Sequence, residues 1–111
     1  MTSQESVNIW HLMVCFTSQV KFGDISTIAY KIAELFCWNY AVFYGIHLKN
    51  IHNNRGGHIH FAIQAIDYNN CDYEEQLTYE KIMTYIGAIE HLLLTEYNLR
   101  TNIQWKEEFH C

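Results

Sequence analysis

Between Val7 and Thr17 two kinds of position alternate, with Trp10, Leu12, Val14 and Phe16 interleaved with Ile9, His11, Met13 and Cys15. A period of two is the signature of a strand with two unlike faces. Beyond a turn at Lys21–Asp24 the period lengthens. Ile25, Ile28, Ala29, Ile32, Leu35 and Phe36 recur at the spacing of an amphipathic helix, predicted from about Ser26 to Asn39 with Ser26 or Asp24 as N-cap. Two further strands follow, Tyr40 to about Ile51 and Gly57 to about Asp67. A polar loop from Tyr68 to Glu75 leads into a second helix, about Glu75 to Tyr97, whose stripe is Tyr79, Ile82, Ile86, Ile89 and Leu93. Ile103 to Phe109 reads as a last, weaker strand.

The order β-α-β-β-α-β predicts an α+β fold of the ferredoxin-like, split β-α-β kind: one antiparallel sheet with both helices on one face. Strand parity then sorts the side chains. The covered face takes Trp10, Leu12, Val14, Phe16, Val42, Tyr44, Ile46, Ile59, Phe61, Ile63 and Ala65. The open face takes His11, Met13, Cys15, Ala41, Phe43, Gly45, His47, His58, His60, Ala62 and Gln64, and is therefore rich in histidine. No internal repeat or low-complexity tract interrupts the chain, which reads as one domain over residues 1–111.

The stretch His47 to Gln64 holds the most distinctive chemistry. His58 and His60, two apart in a strand, point the same way, and His47 closes the preceding strand. Three imidazoles on one sheet face suit a divalent metal ion with coordination positions left open. The intervening His52–Gly57 has hairpin composition. A turn at Asn53–Asn54 puts His47 opposite His60 and diagonal to His58; a turn at Asn54–Arg55 puts it opposite Ala62, with His60 diagonal. Opposed Cβ atoms stand about 5 Å apart and diagonal ones roughly 7–8 Å, so the three histidines share a face in either register. The competing reading is an exposed sheet face that happens to carry histidines.

Composition narrows the function classes. A chain of 111 residues, 50% hydrophobic and without proline, suits a single packed core rather than a disordered or linker-rich protein. The first residues lack the basic-then-apolar pattern of a signal peptide, and no apolar run approaches the ~20 residues of a membrane span. Cys15, Cys37, Cys71 and Cys111 lack paired spacing, so reduced thiols and a cytoplasmic location are expected. A formal net charge of −5 disfavours nucleic-acid binding through bulk electrostatics. Lys21, Lys49 and Arg55 are scattered cations that make no patch.

At these same residues the chain resembles a known family. His47, followed by the run His58-Ile-His60-Phe-Ala-Ile-Gln64, is similar to the histidine–hydrophobic–histidine motif of relaxases, the plasmid mobilisation endonucleases. Trp10–Phe16 looks like the family's first strand, with its histidine before an apolar run, and Tyr40–His47 follows as the strand that brings the first ligand. Glu96-Tyr97-Asn98-Leu99 is similar to the end of the helix after the metal strand. The resemblance implies a metal-dependent nuclease that nicks single-stranded DNA by transfer to a tyrosine. It also implies His47, His58 and His60 as ligands of manganese, magnesium or zinc; His11 shares their face by strand parity and is most simply a polar strand residue, with support of a metal ligand as the alternative role. Gln64 stands where the family has an asparagine, and Lys49 where some branches have an aspartate.

The pattern departs from relaxases at the nucleophile. Their catalytic tyrosine precedes the first strand, and no tyrosine lies between Met1 and Ile9. On the second helix Tyr79 shares the core stripe, which leaves Tyr85, at the stripe's edge, as the one candidate there. Helix packing is the simpler role for both. Two functions of different class follow: a relaxase-like domain acting on single-stranded DNA, which nicks if a tyrosine is supplied, or a non-catalytic binding or assembly module. Phe43 and Met13 on the open face also make a second copy of the chain, forming a homodimer, a candidate partner.

Overall fold

The computed structural model describes residues 7–48, 57–66 and 76–109. Six elements follow in order: β1 (Val7–Phe16), α1 (Phe22–Cys37), β2 (Val42–His47), β3 (His58–Gln64), α2 (Tyr79–Tyr97) and β4 (Thr101–Phe109). The strands form one sheet in the order β2-β3-β1-β4, every neighbouring pair antiparallel. This is the α+β split β-α-β arrangement expected from the hydrophobic pattern.

Strand parity divides the sheet as predicted. Trp10, Leu12, Val14 and Phe16 of β1 and Ile59, Phe61 and Ile63 of β3 are buried against Ile25, Ile28, Ile32 and Phe36 of α1 and Ile82, Ile89 and Leu93 of α2. Both helices therefore cover one face. Trp10 is fully buried, and its indole N–H donates to the Leu77 carbonyl at 2.6 Å. The Leu77 amide donates in turn to the Ala65 carbonyl. These two bonds hold the entry to α2 against the middle of the sheet. No helix of the described residues is long and apolar enough to cross a membrane.

Several boundaries differ from the sequence reading. Helix α1 starts at Phe22 with Lys21 as N-cap and no side-chain capping bond, so neither Ser26 nor Asp24 caps it. Burial of Ile25, one turn in, draws the helix back to that point. Helix α2 begins only at Tyr79, where the Thr78 hydroxyl accepts from the Lys81 amide. It ends at Asn98, whose left-handed backbone (φ 54°) stops the helical ladder. Tyr79, expected in the core, is half exposed and sets its ring edge-on to Trp105 at 5.4 Å. Strand β2 lies at the sheet edge, so Val42 and Ile46 are only half buried and Tyr44 is partly exposed.

The β2–β3 register matches neither expected alternative. His47 pairs with His58 and Gly45 with His60, which places His60 diagonal to His47. The candidate turn residues fall within 49–56, outside the described residues. Packing accounts for the register: Tyr44 meets Phe61 with ring centroids 5.6 Å apart, and Ile46 meets Ile59 on the same face. Gly57 reinforces it, because a Cβ there would run into the His47 carbonyl.

The Trp10–Leu77 bond generates a first prediction. In a Trp10→Phe variant the buried Leu77 carbonyl loses its donor, at a cost of about 1–3 kcal/mol. The vacated ring volume adds to this. Urea unfolding should show the loss as a lower midpoint; a midpoint equal to that of the native chain would mean the indole is not what pins α2.

Candidate functional site

The open face is best described as rows running across the sheet. Phe43, Ala62, His11 and Lys106 form one row, from β2 through β3 and β1 to β4. Gly45, His60, Met13 and Gln104 form the next, and His47, His58, Cys15 and Asn102 the third. Three strands thus deliver His47, His58, His60 and His11 to a single face. Tertiary pairing brings them together, because His11 and His60 are 49 positions apart in the chain.

Within this face the histidines form two pairs. His47 and His58, directly opposed, stack with ring centroids 4.6 Å apart and planes 18° from parallel. His11 and His60, diagonal neighbours, bring Nδ1 of His11 to 3.2 Å from Nε2 of His60. The other nitrogen of His11, Nε2, lies 2.8 Å from the Glu108 carboxylate on β4. A cleft of about 600 Å³ opens beside this second pair, lined also by Met13, Gln104 and Lys106. Next to His60, Gly45 leaves open space where a Cβ would stand.

Electrostatics favours the neutral form of His58 and His60. Partial burial pushes the His58 pKa below the ordinary imidazole value, and the neighbouring His47 and His60 push it further down. His60 is lowered in the same way, by burial first and then by His11 and His47. A neutral ring keeps a lone pair on one nitrogen, the form that ligates metal. The Cys15 thiol, across from His58, is raised by burial and so holds its proton. Among the described residues no three His, Cys, Asp or Glu side chains converge on one point in this arrangement.

The remaining candidates fall in different places. Gln64 is exposed on the open face, across from Ile9 at the end of β3. Tyr85 packs its ring on Phe36 of α1 with centroids 4.3 Å apart, on the helix-covered side of the sheet, away from the histidines. Lys49 and Arg55 lie outside the described residues. Glu108 is the contact that the sequence reading missed. Its signal was the alternation in β4, where Asn102, Gln104, Lys106 and Glu108 share one parity and Ile103 and Trp105 the other.

The lowered histidines set the sign of a pH dependence. The unfolded chain, with ordinary imidazoles near pKa ~6.5, binds more protons than the folded one. The stability they contribute is therefore present above that value and is lost as pH falls through the lowered folded-state values. Urea midpoints of the metal-free protein should drop from pH 7 toward pH 5, and the double variant His58→Gln/His60→Gln should flatten the drop. An equally steep fall in that variant would remove the two histidines as its source.

No family model, no curated protein and no solved structure matches this chain.

Proposed function

We propose that this chain is a relaxase-like domain that binds a divalent metal ion and single-stranded DNA on the open face of its sheet, with nicking only where a tyrosine is supplied. The observation that carries the reading is the delivery of His47, His58, His60 and His11 to one face by three strands, with His58 and His60 biased toward the neutral form. The donor set fits such an ion: imidazole suits zinc by ligand type, while the relaxase resemblance points to manganese or magnesium. A bound divalent ion supplies Lewis acidity toward a phosphate oxygen and offsets its charge.

The surrounding side chains are suited to an extended strand of DNA. Phe43, 66% exposed and in the same row as His11, offers a ring on which a base can stack. Lys106, on the far side of that row, offers an ammonium to a phosphate. The Gln64 and Gln104 amides, exposed on the same face, can donate to or accept from base edges.

One observation separates binding from nicking. Among the described residues no tyrosine stands on the histidine face: Tyr44 turns its ring to Phe61, Tyr79 to Trp105 and Tyr85 to Phe36. Tyr68 and Tyr73 lie outside the described residues. Transfer of a phosphodiester needs an in-line nucleophile within ~3–3.5 Å of the phosphorus, and these three tyrosine side chains cannot supply it from where they pack. A non-catalytic binding or assembly module that keeps the metal face is the second reading, and the placement of the tyrosines favours it over an active nickase.

Calorimetry on metal-stripped protein tests the core of the proposal. One Mn²⁺ or Zn²⁺ ion should bind per chain, and His58→Ala should abolish the binding; unchanged binding in a His47/His58/His60 triple alanine variant would overturn the site. Single-stranded DNA should then bind more tightly with metal than in EDTA. Its salt dependence should be shallow, at about 0.7 per neutralised phosphate, given the acidic chain. Phe43→Ala should weaken it by about 1–3 kcal/mol, the worth of one stacked base. A labelled oligonucleotide pool incubated with the protein and Mn²⁺ should leave no covalent band on a denaturing gel. A band lost in Tyr85→Phe would instead identify a nuclease.

A further inference from the structure

Of the two histidine pairs, only one brings two ring nitrogens to the spacing of two ligands on a single ion. Imidazole lone pairs lie in the ring plane. The stacked rings of His47 and His58, 18° from parallel, therefore aim along separate planes and do not converge. His11 and His60 are different: their rings are tilted by 39° and meet nitrogen to nitrogen at 3.2 Å. Two imidazole nitrogens bound to one tetrahedral ion at about 2.0–2.1 Å stand roughly 3.3 Å apart. The observed spacing is thus that of two ligands of a single ion, as well as that of a hydrogen bond.

Glu108 decides which nitrogen of His11 is available. A carboxylate accepts hydrogen bonds and has none to donate, so His11 Nε2 carries the proton directed at it across 2.8 Å. In the neutral ring Nδ1 then keeps its lone pair, and that lone pair faces His60. A carboxylate bonded to the far nitrogen of an imidazole is the usual outer support of a metal-bound histidine, holding the ring's orientation and raising its basicity. Space for the ion's remaining ligands is present on both sides, in the cleft beside Gln104 and in the open volume at Gly45.

We propose that His11 is a ligand of the divalent ion, sharing it with His60, and that Glu108 is the residue that positions His11 to do so. This rests on the metal-binding reading above and changes its centre. The ion sits toward β1 and β4, and His58 completes the set as His47 turns out of the stack. His47, exposed on the edge strand, has room to turn.

The test loads metal-stripped protein with Co²⁺, whose visible absorption reports ligand number and type, and measures Zn²⁺ affinity by competition with a chelating dye. Glu108→Gln, isosteric at an exposed position, should lower affinity by about 10–100-fold. Glu108→Asp should recover part of that loss. His11→Ala should lower affinity further and change the Co²⁺ spectrum, while His91→Ala, on the exposed side of α2, should change neither. Far-UV circular dichroism checks that each variant folds. If His11→Ala does not fold, ¹⁵N spectra of the native protein decide, because His11 Nδ1 must shift on Zn²⁺ loading. Native affinity and an unchanged spectrum in both His11→Ala and Glu108→Gln, or an unshifted His11 Nδ1, would overturn this assignment and leave a site of His47, His58 and His60. No binding by the native chain would overturn the metal reading itself, and this inference with it.

Discussion

The parity of β1 is the constraint on which the rest of the molecule depends. This strand lies between β3 and β4, so both of its edges are committed to hydrogen bonding. A slip of one residue would exchange its two faces, taking Trp10 out of the core and putting His11 into it. The Trp10 indole bond to the Leu77 carbonyl acts against such a slip, because only one register brings the N–H to that acceptor. Since α2 starts two residues after Leu77, the same bond that fixes which side chains are buried also fixes where the second helix enters.

The open face inherits its geometry from this arrangement without contributing much to it. Its histidines stand at positions that the core does not need, and their relative placement is set by three pairings made for the sake of the covered face. Tyr44 against Phe61 sets the β2–β3 register and so stacks His47 on His58. Trp10 and Trp105, 5.8 Å apart in the β1–β4 layer, accompany the pairing that carries Glu108 to His11. A core substitution that shifts either pairing would therefore reach the histidines without touching them.

What could be read from the chain follows the range of the interactions concerned. The element order and the sharing of a face by His47, His58 and His60 depend on local periodicity, and both were legible. The register was not. The register that a two-residue turn at Asn53–Asn54 implies is local in origin, and the register that side-chain packing sets between the strands differs from it by two residues. The same holds for His11 and Glu108, which are 97 positions apart; parity puts them on one face, but only the pairing of β1 with β4 makes them neighbours. Tyr79 followed the core stripe by spacing but lies at the helix's first position, beyond the reach of the core, and Trp105 offered it an edge.

The central position of β1 also makes its pairing long-range on both edges. Its two neighbours come from the middle and the far end of the described chain, so the first of the described strands lacks a partner on one edge until the last of them is made. Contacts of such long separation are slow to form, because their loop-closure entropy is met before any bond compensates it. Until β4 docks, His11 has His60 beside it but no carboxylate behind it. The histidine face is thus incomplete without β4, and a chain lacking that strand would expose the edge of β1 to pairing with other strands.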